Sequence, residues 1–98
     1  MPVYMIDEIE VLNPSLYAQY IRQAKPLVQR HGGRYLVPGE KGIPVAGGWV
    51  MPQRMVILQF ENIESLRNCF ESSEYRQIAP LRDRSIRSRG TIVQGGDA

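Results

Sequence analysis

The chain has 98 residues, 43% hydrophobic and 22% charged, with a formal net charge of +2; this is ordinary globular usage and excludes a charge-rich disordered chain. The length suits one core, read as a single domain over residues 1–95 with a loose tail over 96–98. No apolar run approaches the roughly 18–20 residues that cross a bilayer, the start MPVYMIDEIE has no basic segment leading into an apolar one, and a lone Cys69 excludes an intramolecular disulfide, so the expectation is a cytoplasmic protein with Cys69 as a core thiol.

Val3 to Val11 alternates as a strand, with Val3, Met5, Ile9 and Val11 on one side and Tyr4, Ile6, Glu8 and Glu10 on the other. Asp7 is the odd member of the apolar side. Asn13-Pro14 reads as an N-cap with proline at the first helical position, and Leu16, Tyr17, Tyr20, Ile21, Ala24, Leu27 and Val28 then form an apolar stripe. Pro26 is expected to bend this helix or restart its last turn, His31 to lie at its end, and Gly32-Gly33 to stop it.

Arg34 to Val37 predicts a short second strand, and the glycine- and proline-rich stretch from Pro38 to Pro52, which contains Trp49, predicts a long loop. Arg54 to Phe60, RMVILQF, is apolar at nearly every position, so both of its faces need covering. Asn62 caps a second helical region through Leu66, Cys69 and Phe70, continued after Ser73 through Tyr75, Ile78 and Leu81, with an interruption expected at Pro80. Thr91 to Gln94 is the last strand.

The order predicts an α+β, ferredoxin-like β-α-β-β-α-β domain, with a four-stranded antiparallel sheet and its helices on one face. Helices on one side leave the second apolar face of RMVILQF bare, which argues for a homodimer closed sheet to sheet, a dimeric α+β barrel.

The segments DEIEVLNPSLYAQYI, RHGGRYLV, a Gly-Gly-Trp loop, PQRMVILQF, SSEYRQIAPLR and TIVQGG, in that order, resemble the bacterial family called domain of unknown function thirteen-thirty along nearly the whole chain. The resemblance implies membership of the dimeric α+β barrel superfamily, whose facing sheets enclose pockets and whose members include monooxygenases, isomerases and dehydratases. Gly32, Gly33, Trp49, Arg54, Tyr75 and Arg82 fall on the family's recurrent positions, and none brings an assigned catalytic role. Two features depart from the pattern: VAGGW lacks the acidic residue common before the glycine and tryptophan, and IRSRG is unusually basic.

Motifs that would name a reaction are missing from the sequence. The sole histidine, His31, has no second histidine or cysteine beside it to suggest a zinc or triad site, and the glycine pairs lack a phosphate-loop context, so neither metal nor cofactor is implied. Asp7 is the candidate catalytic base, because a carboxylate on an apolar strand side is raised in pKa by desolvation unless a cation or donor meets it. Tyr4, Tyr35, Trp49 and Tyr75 are candidate aromatic walls, Gln59 a candidate polar lining, and Arg54 and Arg82 candidate anion-binding cations. Each also has a structural reading: the aromatics as packing, the arginines as ion-pair partners of Glu8, Glu10 or Asp83.

The function expected is binding or conversion of a small organic molecule, including an anionic aromatic one, in an interior pocket without cofactor. The alternative is a noncatalytic interaction or nucleic-acid module using Arg82, Arg84, Arg87 and Arg89. The small net charge argues against it, as does a third strand whose only aromatic residue is Phe60.

Overall fold

The computed structural model describes residues 1–47 and 53–96 of the chain. Its elements are β1 (Val3–Val11), α1 (Pro14–Arg30), β2 (Arg34–Glu40), β3 (Arg54–Phe60), α2 (Ile63–Phe70), α3 (Ser73–Ser85) and β4 (Ile86–Gln94). Among the described residues the strands form one antiparallel sheet in the order β2-β3-β1-β4, which is the ferredoxin-like arrangement expected. Asp7 sits mid-strand, opposite Val56 of β3 and Gly90 of β4.

Each helix begins where a side chain replaces a missing backbone acceptor. Asn13 accepts from Leu16 N–H at 3.1 Å and Asn62 from Ser65 N–H at 2.8 Å. The second helical region divides into α2 and α3 at Glu71-Ser72, where the Ser72 hydroxyl donates to the Cys69 carbonyl at 2.6 Å and accepts from Tyr75 N–H at 3.1 Å. One serine thus closes α2 and opens α3. α1 ends in a Schellman motif: Gly33 N–H donates to Val28 O at 2.9 Å and Gly32 N–H to Gln29 O at 3.0 Å, with Gly32 at φ +80.

Three local expectations are corrected. α3 runs through Pro80 without interruption, as α1 runs through Pro26; both prolines and the residues four before them, Arg22 and Arg76, are exposed, so the carbonyls that lose a donor face water. β2 continues to Glu40 through two register shifts against β3. β4 starts at Ile86, not Thr91, as a sheet-edge strand whose residues from Arg87 to Gln94 are exposed.

The three helices cover one face of the sheet. Tyr20, Ala24, Leu27 and Val28 of α1, Leu66 and Cys69 of α2 and Ile78 of α3 join Val3, Ile9, Val56, Leu58 and Phe60 of the strands in one core. Phe60 is fully buried, and a side chain of that size contributes about 1.5–3 kcal/mol by leaving water. On the opposite face, Tyr4 lies between Gln59 and Val93, and Ile6 between Ile57 and Thr91. The same face carries the in-register pair Glu8 and Arg89, joined by an Arg89 Nε–H bond of 2.9 Å.

Candidate functional site

Between the sheet and its helices lies a cavity of about 280 Å³. Its floor is the inward row of the central strands, Met5, Asp7 and Ile9 of β1 with Val56 and Leu58 of β3, and Tyr35 of β2 stands at one side. Tyr17 and Tyr20 of α1 and Tyr75 and Arg82 of α3 reach down from the roof. An engineered cavity of about 150 Å³ holds a benzene molecule, so this space accommodates a single ring with a substituent.

Charge enters the cavity at one place. Asp7 and Arg82 are the charged residues of its described lining, and the Arg82 guanidinium stands 3.9 Å from the Asp7 carboxylate. That is an ion pair without a hydrogen bond. The two side chains are 14% and 25% exposed, respectively, so the attraction is less screened than at an open surface. Burial nevertheless pushes the Asp7 carboxyl above its ordinary pKa of 3.8, and the Arg82 charge offsets only part of that rise.

Two backbone features fix this pair. Gly90 faces Asp7 from the neighbouring strand, and a Cβ there would collide with the carboxylate oxygen; the missing side chain makes the room Asp7 occupies. Arg82 is held by the end of α3, where the buried Ser85 hydroxyl donates to the Arg82 carbonyl at 3.2 Å. The Ser85 carbonyl accepts from Leu12 and Asn13 N–H at 2.7 and 3.0 Å, tying the end of α3 to the turn between β1 and α1.

Tyrosine supplies the remaining polarity. The Tyr20 and Tyr75 hydroxyls share a hydrogen bond of 2.9 Å, while the rings of Tyr17, Tyr20, Tyr75, Phe70 and Phe60 follow one another with centroids 6.1, 6.3, 4.8 and 6.0 Å apart. Burial raises the pKa of all four phenols in or beside the cavity, Tyr17, Tyr20, Tyr35 and Tyr75, so they remain neutral donors and acceptors. Burial likewise pushes the Cys69 thiol up to about 11, which suits a core thiol.

Of the residues singled out from sequence, Asp7, Tyr35, Tyr75 and Arg82 converge on this cavity. Tyr4 and Gln59 do not: they are cross-strand partners on the other face of the sheet, because residues one step out of phase with Asp7 and Leu58 point away from the helices. Arg54 is exposed at the start of β3, outside the lining, though near enough to Tyr17 for its charge to favour that phenolate. Trp49 lies outside the described residues. His31 caps α1, its Nδ1–H donating to the Leu27 carbonyl at 3.0 Å. Tyr17, Tyr20 and Phe70 also line the cavity, where the sequence pattern predicts only core-stripe residues; the signal for the first two is a phenol where leucine would fill the same stripe without needing a hydroxyl partner.

A family model described as domain of unknown function (DUF1330) matches residues 2–96. None of the curated proteins matches the chain. Among solved structures, the fold is similar to the RPA0582 protein of unknown function from Rhodopseudomonas palustris, with a TM-score of 0.80 at 17% identity over 99% of this chain and 84% of that one. It is also similar to SnoaB, a cofactor-independent oxygenase from Streptomyces nogalater, with a TM-score of 0.73 at 10% identity over 99% of this chain and 95% of that one. Rv0793 from Mycobacterium tuberculosis aligns with a TM-score of 0.60 at 11% identity, over 100% of this chain and 98% of that one. At these identities the likeness is one of fold.

Proposed function

The chain belongs to the DUF1330 family, and on that premise we propose that it binds a small organic molecule with an aromatic or unsaturated body and an anionic group in the cavity between sheet and helices. The observation that carries this reading is the Asp7 and Arg82 pair, set 3.9 Å apart in a cavity otherwise walled by apolar and phenolic side chains. A guanidinium that makes no hydrogen bond to its neighbouring carboxylate keeps donors for a planar anion, and the ring of tyrosines offers flat walls to an aromatic body. SnoaB carries out cofactor-independent oxygenation on the same fold, which favours a reaction driven by side chains here too. Asp7 is then the proton-transferring group, since burial raises its carboxyl above the ordinary aspartate pKa and suits it to exchange a proton with a bound molecule.

The working unit in this reading is a homodimer joined through the sheet face that carries the half-buried Tyr4, Ile6, Ile57 and Gln59 and the exposed Val93, because this largely apolar face lies opposite the helices. Binding is tested by titrating single-ring aromatic acids and watching backbone amide shifts. Saturable shifts are expected in the segments that line the cavity, those of β1, β3, α1 and α3 foremost, and Arg82→Ala should weaken binding by about 1–3 kcal/mol, as when a charge-assisted hydrogen bond is lost. Shifts confined to the opposite sheet face would overturn the assignment of the cavity.

A further inference from the structure

Resting on the cavity reading above, we propose that the site takes up single-ring monocarboxylic acids together with a proton: the ligand carboxylate replaces Asp7 as the partner of Arg82, and Asp7 is protonated as it is displaced. The geometry behind this is the open contact between the two side chains. At 3.9 Å the guanidinium holds Asp7 by charge alone, and among the described residues it donates no side-chain hydrogen bond. An incoming carboxylate can form the paired N–H contacts that Asp7 does not make.

Charge balance then requires the proton. With Asp7 ionised, the cavity holds one anion and one cation; a second anion beside the first would leave two carboxylates sharing one guanidinium in a poorly solvated space, a situation in which one of them binds a proton. Asp7 is the group that yields. Burial already favours its neutral form, whereas the ligand carboxylate gains the hydrogen bonds to Arg82. The proton comes from solvent, and the acid enters in net terms as its neutral form.

Among the described residues, the other groups around Asp7 leave no competing site. α1 contributes the phenols of Tyr17 and Tyr20, β2 that of Tyr35 and α3 that of Tyr75, all with pKa raised by burial and none able to take up a proton in the neutral range. β3 presents Val56 beside Asp7, and β4 presents Gly90, which has no side chain. Arg54 and Asp83 are exposed outside the lining, and Glu8 is paired with Arg89 on the far face of the sheet.

Calorimetric titration of the whole protein with benzoate, phenylacetate and cinnamate, in two buffers of different ionisation enthalpy near neutral pH, tests the coupling. The expected result is uptake of about one proton per carboxylate bound, with Kd rising about tenfold per pH unit in the range where free Asp7 is ionised. Asp7→Asn should bind the same acids with no proton uptake and no pH dependence. The wild-type pH series stands without that variant if it fails to fold. Carboxylate binding without proton uptake would overturn the coupling and leave the cavity reading standing, whereas binding of benzamide and benzyl alcohol in preference to the acids would overturn both the coupling and the anionic part of the cavity reading. Binding of neither acids nor neutral analogues would overturn the cavity reading itself, and the coupling with it.

Discussion

Arg82, in the last turn of α3, stands 3.9 Å from Asp7 in the middle of β1, so a residue near the end of the helical layer meets one at the centre of the sheet. The contact is close enough for charge to matter and too long for a hydrogen bond. Its consequences are measurable without knowing the ligand.

The first concerns pH. The Asp7 carboxyl is raised in the fold, chiefly by burial, so between its unfolded value near 3.8 and its higher folded value the native state binds more protons than the unfolded one. Stability contributed through Asp7 is therefore fully present at low pH and is lost as pH climbs through that window. Asp7→Asn, which cannot ionise, should gain melting temperature relative to wild type as pH rises from about 4 towards neutrality. A difference between the two proteins that does not change with pH would contradict the burial of this carboxyl.

A second prediction uses the space opposite that carboxylate. Alanine at position 90 would drive its Cβ into the Asp7 carboxylate, and overpacking of this kind costs about 1–3 kcal/mol, against the roughly 0.5–1 kcal/mol that alanine gains over glycine inside a strand. Gly90→Ala should be net destabilising in wild type and neutral or stabilising in an Asp7→Ser background, where the side chain is shorter. Urea denaturation of the four proteins in this double-mutant cycle should give a coupling above about 0.5 kcal/mol; additive effects would place the Asp7 carboxylate elsewhere.

The hydroxyl pair of Tyr20 and Tyr75 offers a third. With the two oxygens 2.9 Å apart and Tyr20 only 7% exposed, removing one hydroxyl strands the other, at a cost of about 1–3 kcal/mol. Tyr20→Phe and Tyr75→Phe should each destabilise, and the double substitution should cost less than the sum of the single ones. Chemical denaturation reads all three, and strict additivity would mean that water already satisfies both groups.

The fourth separates the two faces of β3. Leu58 is 4% exposed and packs under the helices, whereas its neighbour Ile57 pairs with Ile6 on the opposite face. Leu58→Asp should abolish folding, because an unpaired charge would enter the core. Ile57→Asp should leave the circular dichroism spectrum intact and convert a dimer to a monomer in light scattering. A wild-type monomer with the same spectrum would refute the sheet-to-sheet assembly.

Much of this arrangement was legible along the chain, and the reason is that its signals are local. Alternation from Val3 to Val11 placed Asp7 on the apolar side of β1, and the inward row of Val3, Ile9, Val56, Leu58 and Phe60 in the core follows from the same period. Asn13, Asn62 and Gly32-Gly33 marked helix ends because capping is settled within a few residues. β4 was legible only from Thr91, because an edge strand exposed along most of its length needs no apolar alternation, and IRSRG shows none.

The sequence by itself thus determined the order of the elements, the capped helix ends at Asn13, Asn62 and Gly32-Gly33 and the phase of β1, all of which depend on residues within a turn or two of one another. Only the tertiary structure decided which polar residues meet. Tyr4 and Gln59 looked as eligible as Asp7 until the helices settled on one face of the sheet, and an isolated strand does not specify that choice. The contact of Arg82 with Asp7, the void at Gly90 that admits the carboxylate and the hydrogen bond between Tyr20 and Tyr75 each join residues more than fifty positions apart. Such pairs form because the β-α-β connections carry α1 and α3 onto the same side of β1, and the distances between side chains on separate elements are set by packing.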